Sequence, residues 1–471
     1  MYLRFLLMKM KFAISLLVIT LLVPVEIYGS FDFECPPADL IYPCTCTAFP
    51  KSEVVCNDVK SLDTVRNALV HRFKTPLPCL RVSNVHEYQL PHHAFNNITT
   101  KKLYLKGSSF RNIDDNAFDG QNSLGLLVLS DDRLTEFPSA AIKHLSGLRT
   151  LSVAENFIMK IYEDSVRYLH NLKYLYLPNN RLSSIEQNSF PRSLVGLVLS
   201  KNLLTSLNGS VENLPNLDVL LLSNNRLVDV NKQFDGLYQL THLNLDMNNI
   251  HDISDNFNDL KSLRYLNLAY NNLEKIEDGL YPLTKLRKLN VSYNYITEIN
   301  EDLFKELNSI EILDLSGNFI ENVCQAIAPL KNLEELYLSN TNLKNLDYDC
   351  FQGMKNLRVL DLSHNELTNI DAVTGHSFPN LRQLYLQNNK LQNFRHGLKN
   401  IKYLEVLNIE NNEFSNIKKH RFMHNVKLGM VRIGGNPWDC TDQFLDVLKD
   451  LETRNTKIVG APDCYLTENL I

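Results

Sequence analysis

The chain has 471 residues, 48 of them basic and 53 acidic, for a formal net charge of −5. That balance suggests neither nucleic acid nor an anionic membrane surface as a partner. Length alone would predict about three domains, a prior that the internal repetition described below overrides in favour of one continuous body.

In chain order, the first element is an export signal over residues 1–29. Lys9 and Lys11 precede an apolar run from Phe12 to Val23 that ends at Pro24, and Gly29 stands at a cleavage-site spacing. The run is short for a membrane span, and no second apolar run of 18 residues follows. The mature chain is therefore expected to be secreted and extracellular, with no stable membrane insertion. Residues 30–76 carry Cys35, Cys44, Cys46 and Cys56. A short segment with little core needs covalent staples, and an exported chain can form them. Cys44-Thr45-Cys46 lacks the two-residue gap of a zinc knuckle, so these cysteines read as disulfides and not as metal ligands.

Residues 77–427 repeat. The pattern LxxLxLxxN starts at Leu124, Leu148, Leu172, Leu194, Leu217, Leu240, Leu263, Leu286, Ile310, Leu333, Leu357, Leu381 and Leu404, at periods of 22 to 24 residues. Two weaker units precede them, one on Leu77, Leu80 and Val82 and one on Thr100, Leu103 and Leu105, which makes about 15 in all. Such a unit cannot bury its own apolar face, so it must stack on its neighbours. The alternating x-L-x-L core is a half-buried strand. The asparagine that follows, as at Asn156, Asn202, Asn225 and Asn318, stands where the chain turns out of the strand and can pair backbone groups the turn leaves open. Asp132 and Thr341 depart from it. Phe118, Phe190, Phe234, Phe257, Phe304, Phe351 and Phe422 are expected to form a spine on the return side. The predicted fold is an α/β solenoid: a horseshoe with a parallel β-sheet on its concave face and disulfide-stapled terminal caps.

Residues 428–471 form the closing segment, with Asn436-Pro437-Trp438-Asp439-Cys440, then Leu445 and Leu448, then Cys464. With Cys35-Pro36, Cys44-Thr45-Cys46 and Cys56, these residues resemble the N- and C-terminal cysteine caps of secreted extracellular leucine-rich-repeat proteins. The spacing is similar to arthropod members, among them the leucine-rich non-catalytic subunit of a crustacean luciferase; others act in adhesion or immune recognition. The resemblance implies Cys35–Cys46 and Cys44–Cys56 pairing. Thr441-Asp442 stands where a second cysteine is often found, so it implies a single closing bond, Cys440–Cys464. Cys324 and Cys350 lie in adjacent repeats, offset by three positions on the return side, and stacking at about 5 Å brings them within bonding reach. Cys79 is left unpaired. It reads either as a thiol shielded beneath the N-terminal cap or as a link in a disulfide-bonded oligomer; a non-covalent oligomer is equally open.

No catalytic residue, cofactor or metal site is expected. No metalloprotease, nucleophile-elbow or phosphate-loop pattern occurs. His92 and His93 read as solvated side chains that point apart. Asp314 and Asp361, with Glu335 between them, read as a solvated acidic ladder. Asn97, Asn208 and Asn290 head glycosylation sequons.

Function is thus expected on the concave face, where strand alternation turns the residues flanking the second leucine outward. Leu126, Val128, Tyr174, Tyr176, Val198, Val219 and Leu221, with Tyr265 further on, read as an exposed apolar and aromatic ligand-binding patch. A side-chain stripe that only stabilises the fold is the competing reading. From Asn244 onward the face turns polar and then acidic. The expected function is a non-enzymatic binding protein that recognises an extracellular protein, or a microbial glycan, in adhesion, signalling or innate immunity. The alternative is a structural or accessory subunit of a secreted enzyme or matrix assembly.

Overall fold

A computed structural model describes residues 33–395 and 397–462. The expected export signal and Cys464 lie outside the described residues. The chain divides into two compact units, with the boundary between Asn249 and Ile250.

In the first unit a hairpin opens the sheet: Cys44–Thr47 runs antiparallel to Glu53–Asn57. Parallel strands then follow in chain order: Leu80–Ser83, Lys102–Lys106, Leu126–Ser130, Thr150–Ser152, Tyr174–Tyr176, Gly196–Val198, Val219–Leu221 and His242–Asn244. The register places leucine beside leucine, as in Leu197↔Leu220↔Leu243, which are between 0% and 2% exposed. The helix Leu62–Leu69 closes the N-terminal end. Its cap residue Ser61 accepts from Thr64 N, and its apolar stripe Leu62, Val65, Ala68 and Leu69 is buried.

The second unit repeats the scheme with Tyr265–Asn267, Lys288–Asn290, Ile312–Asp314, Glu335–Tyr337, Val359–Asp361, Gln383–Tyr385 and Val406–Asn408. The parallel ladder continues past residue 427 into Met430–Arg432 and Lys457–Val459. The helix Asp442–Thr453, capped by Thr441, buries Phe444, Leu445, Val447, Leu448 and Leu451. Trp438 stacks between Phe414 and Phe444, with centroids at 6.1 and 4.7 Å, and its indole N–H donates to Ile433 O at 2.9 Å.

The asparagine at the end of each strand does the backbone work the sequence suggests. Asn202 donates Nδ2 to Leu177 O (3.0 Å) and Leu199 O (2.9 Å), while its Oδ1 accepts from Leu182 N (3.0 Å). In the second unit Asn318 donates to Val291 O (3.0 Å) and Leu315 O (2.8 Å) and accepts from Ile296 N (3.1 Å). Thr341 keeps part of the pattern, donating Oγ1 to Leu338 O at 2.9 Å. Asp132 does not. Its Oδ1 accepts from Ser108 N (2.8 Å) and Phe110 N (3.4 Å), but its Oδ2 is buried without a partner. An amide would donate there; a carboxylate cannot.

The expected phenylalanines are buried along the return side, Phe118, Phe234, Phe257, Phe304, Phe351 and Phe422 all at 2% exposure or less. Cys35–Cys46, Cys44–Cys56 and Cys324–Cys350 are bonded, with Cα–Cα distances of 5.7, 4.2 and 4.5 Å. Cys440 is disulfide-bonded; Cys464, the partner expected for it, is not among the described residues. Cys79 is free and buried, and burial pushes its thiol pKa up. A thiol enclosed in this way cannot reach a second chain, so the interchain link gives way to the shielded reading. On a non-reducing gel the protein is expected to run as a monomer, and Cys79 should resist alkylation until the chain is unfolded. A dimer band abolished by Cys79→Ser would contradict this.

Candidate ligand-binding face

The outward strand positions form two rows across the sheet of each unit. In the first unit one row runs Tyr174↔Gly196↔Val219↔His242 and the other Tyr176↔Val198↔Leu221↔Asn244. Here the expected exposed patch is corrected. Tyr176, Val198, Val219 and Leu221 are buried, at 9%, 4%, 2% and 4% exposure, and form one cluster against which Tyr174 packs. Leu126 is buried as well, and Val128 is half-buried. The physical reason lies partly in Gly196. A Cβ there would stand 3.0 Å from Tyr174 Cδ1, so the missing side chain lets the tyrosine ring lean across the next strand. Large side chains leaning over small neighbours cover one another, and the stripe becomes a second, thin core on the outer face of the sheet.

Tyr176 pays a polar cost for this. Its hydroxyl is buried without a partner, and burial pushes its pKa up to about 12. Tyr176→Phe removes the orphaned group and keeps the ring. The expected result is unchanged or higher stability, by up to about 1 kcal/mol, read as a melting temperature at or above wild type. A fall of several degrees would mean that the hydroxyl is paired.

Tyr265 belongs to the second unit and is half-buried there, with Lys288 Nζ 5.3 Å from its ring centroid. The acidic ladder of that unit also needs correction. Asp314 and Asp361 are not solvated but 0% and 6% exposed. Each caps its own backbone: Asp314 Oδ1 accepts from Ser316 N and Asp361 Oδ1 from Ser363 N, both at 3.0 Å. Asn267, Asn290 and Asn408 do the same two residues on, at 3.1, 2.9 and 3.0 Å. The polar turn of the face is thus a run of Asx caps. The sequence signal was present, as Asn or Asp recurring just after the second leucine. Asp314 Oδ2 remains buried and unpartnered, and burial pushes that carboxyl up to about 7.

Asn290 heads a sequon, yet it is 7% exposed and its Oδ1 is engaged, so the folded sheet leaves no room for a glycan there. Asn97 and Asn208 are exposed, in left-handed turns with φ of 61° and 50°. Glycopeptide mass spectrometry of exported protein is expected to find sugar at Asn97 and Asn208 and none at Asn290; an occupied Asn290 would require a different sheet face.

His92 and His93 do not point apart. Their ring centroids lie 3.7 Å from each other, and their Nδ1 atoms approach Asp114 (3.1 Å) and Asp119 (3.6 Å). No cluster of three or more His, Cys, Asp or Glu able to hold a metal ion occurs among the described residues. No helix among those residues is long and apolar enough to cross a membrane.

Among the half-buried side chains of the face are the tyrosines Tyr104, Tyr174, Tyr265 and Tyr385, each held by a neighbour. Arg81 lies 3.8 Å over the Tyr104 ring while pairing with Glu53 at 2.9 Å. Tyr385 donates its hydroxyl to Gln383 Oε1 at 3.0 Å.

Comparison with known proteins agrees with this architecture. The family model described as "Leucine rich repeat" matches in overlapping segments from residue 98 to residue 391. Podocan of Mus musculus is 32% identical over 125 residues, 26% of this chain and 20% of that protein. Mimecan of Gallus gallus is 34% identical over 117 residues, 24% of this chain and 38% of that protein. The chain therefore spans well under half the length of these relatives. Among solved structures, the Drosophila Toll–Spatzle complex in glycosylated form superposes with a TM-score of 0.71 at 16% identity, covering 86% of this chain and 61% of that one. The TLR13–ssRNA13 complex gives 0.66 at 24% identity, covering 86% and 56%. At these identities the likeness concerns the fold alone.

Proposed function

The chain belongs to the leucine rich repeat family, and from that premise we propose that it is a secreted, non-enzymatic binding protein that takes a protein ligand along its sheet face. The observation that carries the reading is the set of braced tyrosines, Tyr104 and Tyr174 in the first unit and Tyr265 and Tyr385 in the second. An aromatic ring already fixed by its neighbours loses little freedom on binding and offers both an apolar body and a polar tip. The disulfides fit an exported chain. Toll with Spatzle and TLR13 with RNA show that structures of this fold are found holding macromolecular ligands. Adhesion, signalling and innate immunity are processes such a ligand would serve.

The test is capture from the fluid in which the native protein circulates, by wild type and by the pair Tyr104→Ala and Tyr385→Ala. A partner held by wild type and released at least tenfold more readily by the variant supports the reading. Equal capture by both moves the site off this face. Co-elution with one enzyme or matrix polymer through gel filtration, whatever the variant, would favour the accessory-subunit role instead.

A further inference from the structure

We infer that the rim of the first unit, where its strands begin, binds a sulfated polysaccharide. The residue just before each strand forms a ladder of its own: Gly125 N donates to Lys101 O (2.9 Å), Arg149 N to Gly125 O (2.9 Å) and Lys173 N to Arg149 O (2.8 Å). Lys101, Arg149 and Lys173 are exposed, and Lys143 and Arg192 stand exposed in the turns leading to neighbouring strands. None of these five cations forms an ion pair among the described residues. At the same positions of the second unit Arg264 is also exposed without an ion pair among the described residues, but the other three arginines are neutralised. Arg287 pairs with Glu311 at 2.9 Å, Arg358 with Glu334 and Arg382 with Glu405. A net charge of −5 therefore conceals a local row of unpaired positive charge.

The spacing fits a linear polyanion. Strands stack at about 4.8 Å, so Lys101 to Lys173 spans on the order of 15 Å. Between the cations the rim carries Gly125, Ser146 and Gly147, small residues that present no apolar side chain to those of an acidic peptide. Tyr168, an exposed ring five residues before Lys173, is engaged: its hydroxyl donates to Asp164 (3.1 Å), and the Arg167 guanidinium lies 5.5 Å from its centroid. A single-stranded nucleic acid would need free rings for its bases. Sulfate groups and sugar hydroxyls need only charge and hydrogen bonds, which this rim provides. The inference rests on the extracellular reading for its biological setting, while the site itself depends only on the folded first unit.

The experiment uses the purified full chain on immobilised heparin, which separates it from any question of export. Wild type is expected to be retained at 0.15 M NaCl, with affinity falling linearly on a log–log salt plot. Arg149→Ser, Lys173→Ser and Arg192→Ser together should weaken binding about 30-fold or more, while Arg287→Ser, Arg358→Ser and Arg382→Ser together should leave it unchanged. Flow-through of wild type, or co-elution of the first triple variant with it, overturns the proposal. So does equal binding to desulfated heparin, to polyglutamate or to single-stranded RNA, which would assign the rim to another class of partner.

Discussion

Replacing Asp132 by asparagine is expected to stabilise the protein at pH 7.5 by about 2–4 kcal/mol, and to do almost nothing at pH 4. Asp132 occupies the place where Asn156 donates Nδ2 to Leu129 O at 3.0 Å and Ala154 O at 2.9 Å. Its own Oδ2 meets no donor. Burial, opposed by the amides of Ser108 and Phe110 and assisted by Asp131, pushes its carboxyl from 3.8 up to about 7. A protonated acid carries a hydrogen where the asparagine amide carries one. An ionised acid sets its charge in a buried turn built to receive a donor. The sign follows from linkage. Below about pH 4 the group is protonated in both states and costs nothing. Between about pH 4 and pH 7 the unfolded chain releases its proton while the folded chain keeps it, so stability falls as pH rises. Above pH 7 the loss is complete. A shift from 3.8 to about 7 corresponds to about 4 kcal/mol at most, and local entry of water would reduce it. Denaturant melts of wild type and Asp132→Asn at both pH values isolate the group, because the buried Asp314 of the second unit is common to both proteins. A stability gain of equal size at pH 4 and pH 7.5, or none at either, would show that Asp132 is not protonated in the fold.

The leucines and the turn asparagines were legible in the sequence because each obeys a rule that acts within one repeat. Leu217, Leu220 and Leu222 alternate, so they point to one side of a strand; Asn225 follows, so it meets the open carbonyls. The outward rows are different. Whether Val198 is covered depends on the ring of Tyr176 one strand back, and whether Tyr174 can lean depends on the absence of a side chain at Gly196. These are relations between repeats of unlike residues, and the repeat pattern does not contain them. The same holds for charge. Arg287 and Arg149 occupy equivalent positions, but Glu311 neutralises the first and the neighbouring strands offer the second no acid. The buried Asp314 and Asp361 show the opposite case, since Asn or Asp recurring at one position was visible and its local capping role could have been read from it.

Leu220→Asp is expected to abolish folding, and Leu221→Asp to weaken it without abolishing it, although both side chains are almost fully buried, at 0% and 4% exposure. The two are neighbours on the strand Val219–Leu221 and point to opposite sides of the sheet. Leu220 lies between Leu197 and Leu243 in the stacked core. Its loss forfeits about 3–5 kcal/mol of packing, and a carboxylate in its place has no partner and no path to water, which costs several kcal/mol more. Together these rival the whole stability of a domain, about 5–15 kcal/mol. Leu221 is covered only by the side chains of the outer stripe, so an aspartate there can turn past Tyr176 toward solvent, at a cost nearer 2–3 kcal/mol. For the same reason the combined change Tyr174→Ser, Tyr176→Ser and Leu221→Ser should lower the melting temperature well beyond what surface substitutions produce. The measurement is the amount of each variant exported and its melting temperature beside wild type. If Leu221→Asp melts with wild type, the stripe is not a second core and its side chains are free to meet a ligand. If Leu220→Asp folds, the inward register of the strand is wrong, and every assignment of face in the first unit falls with it.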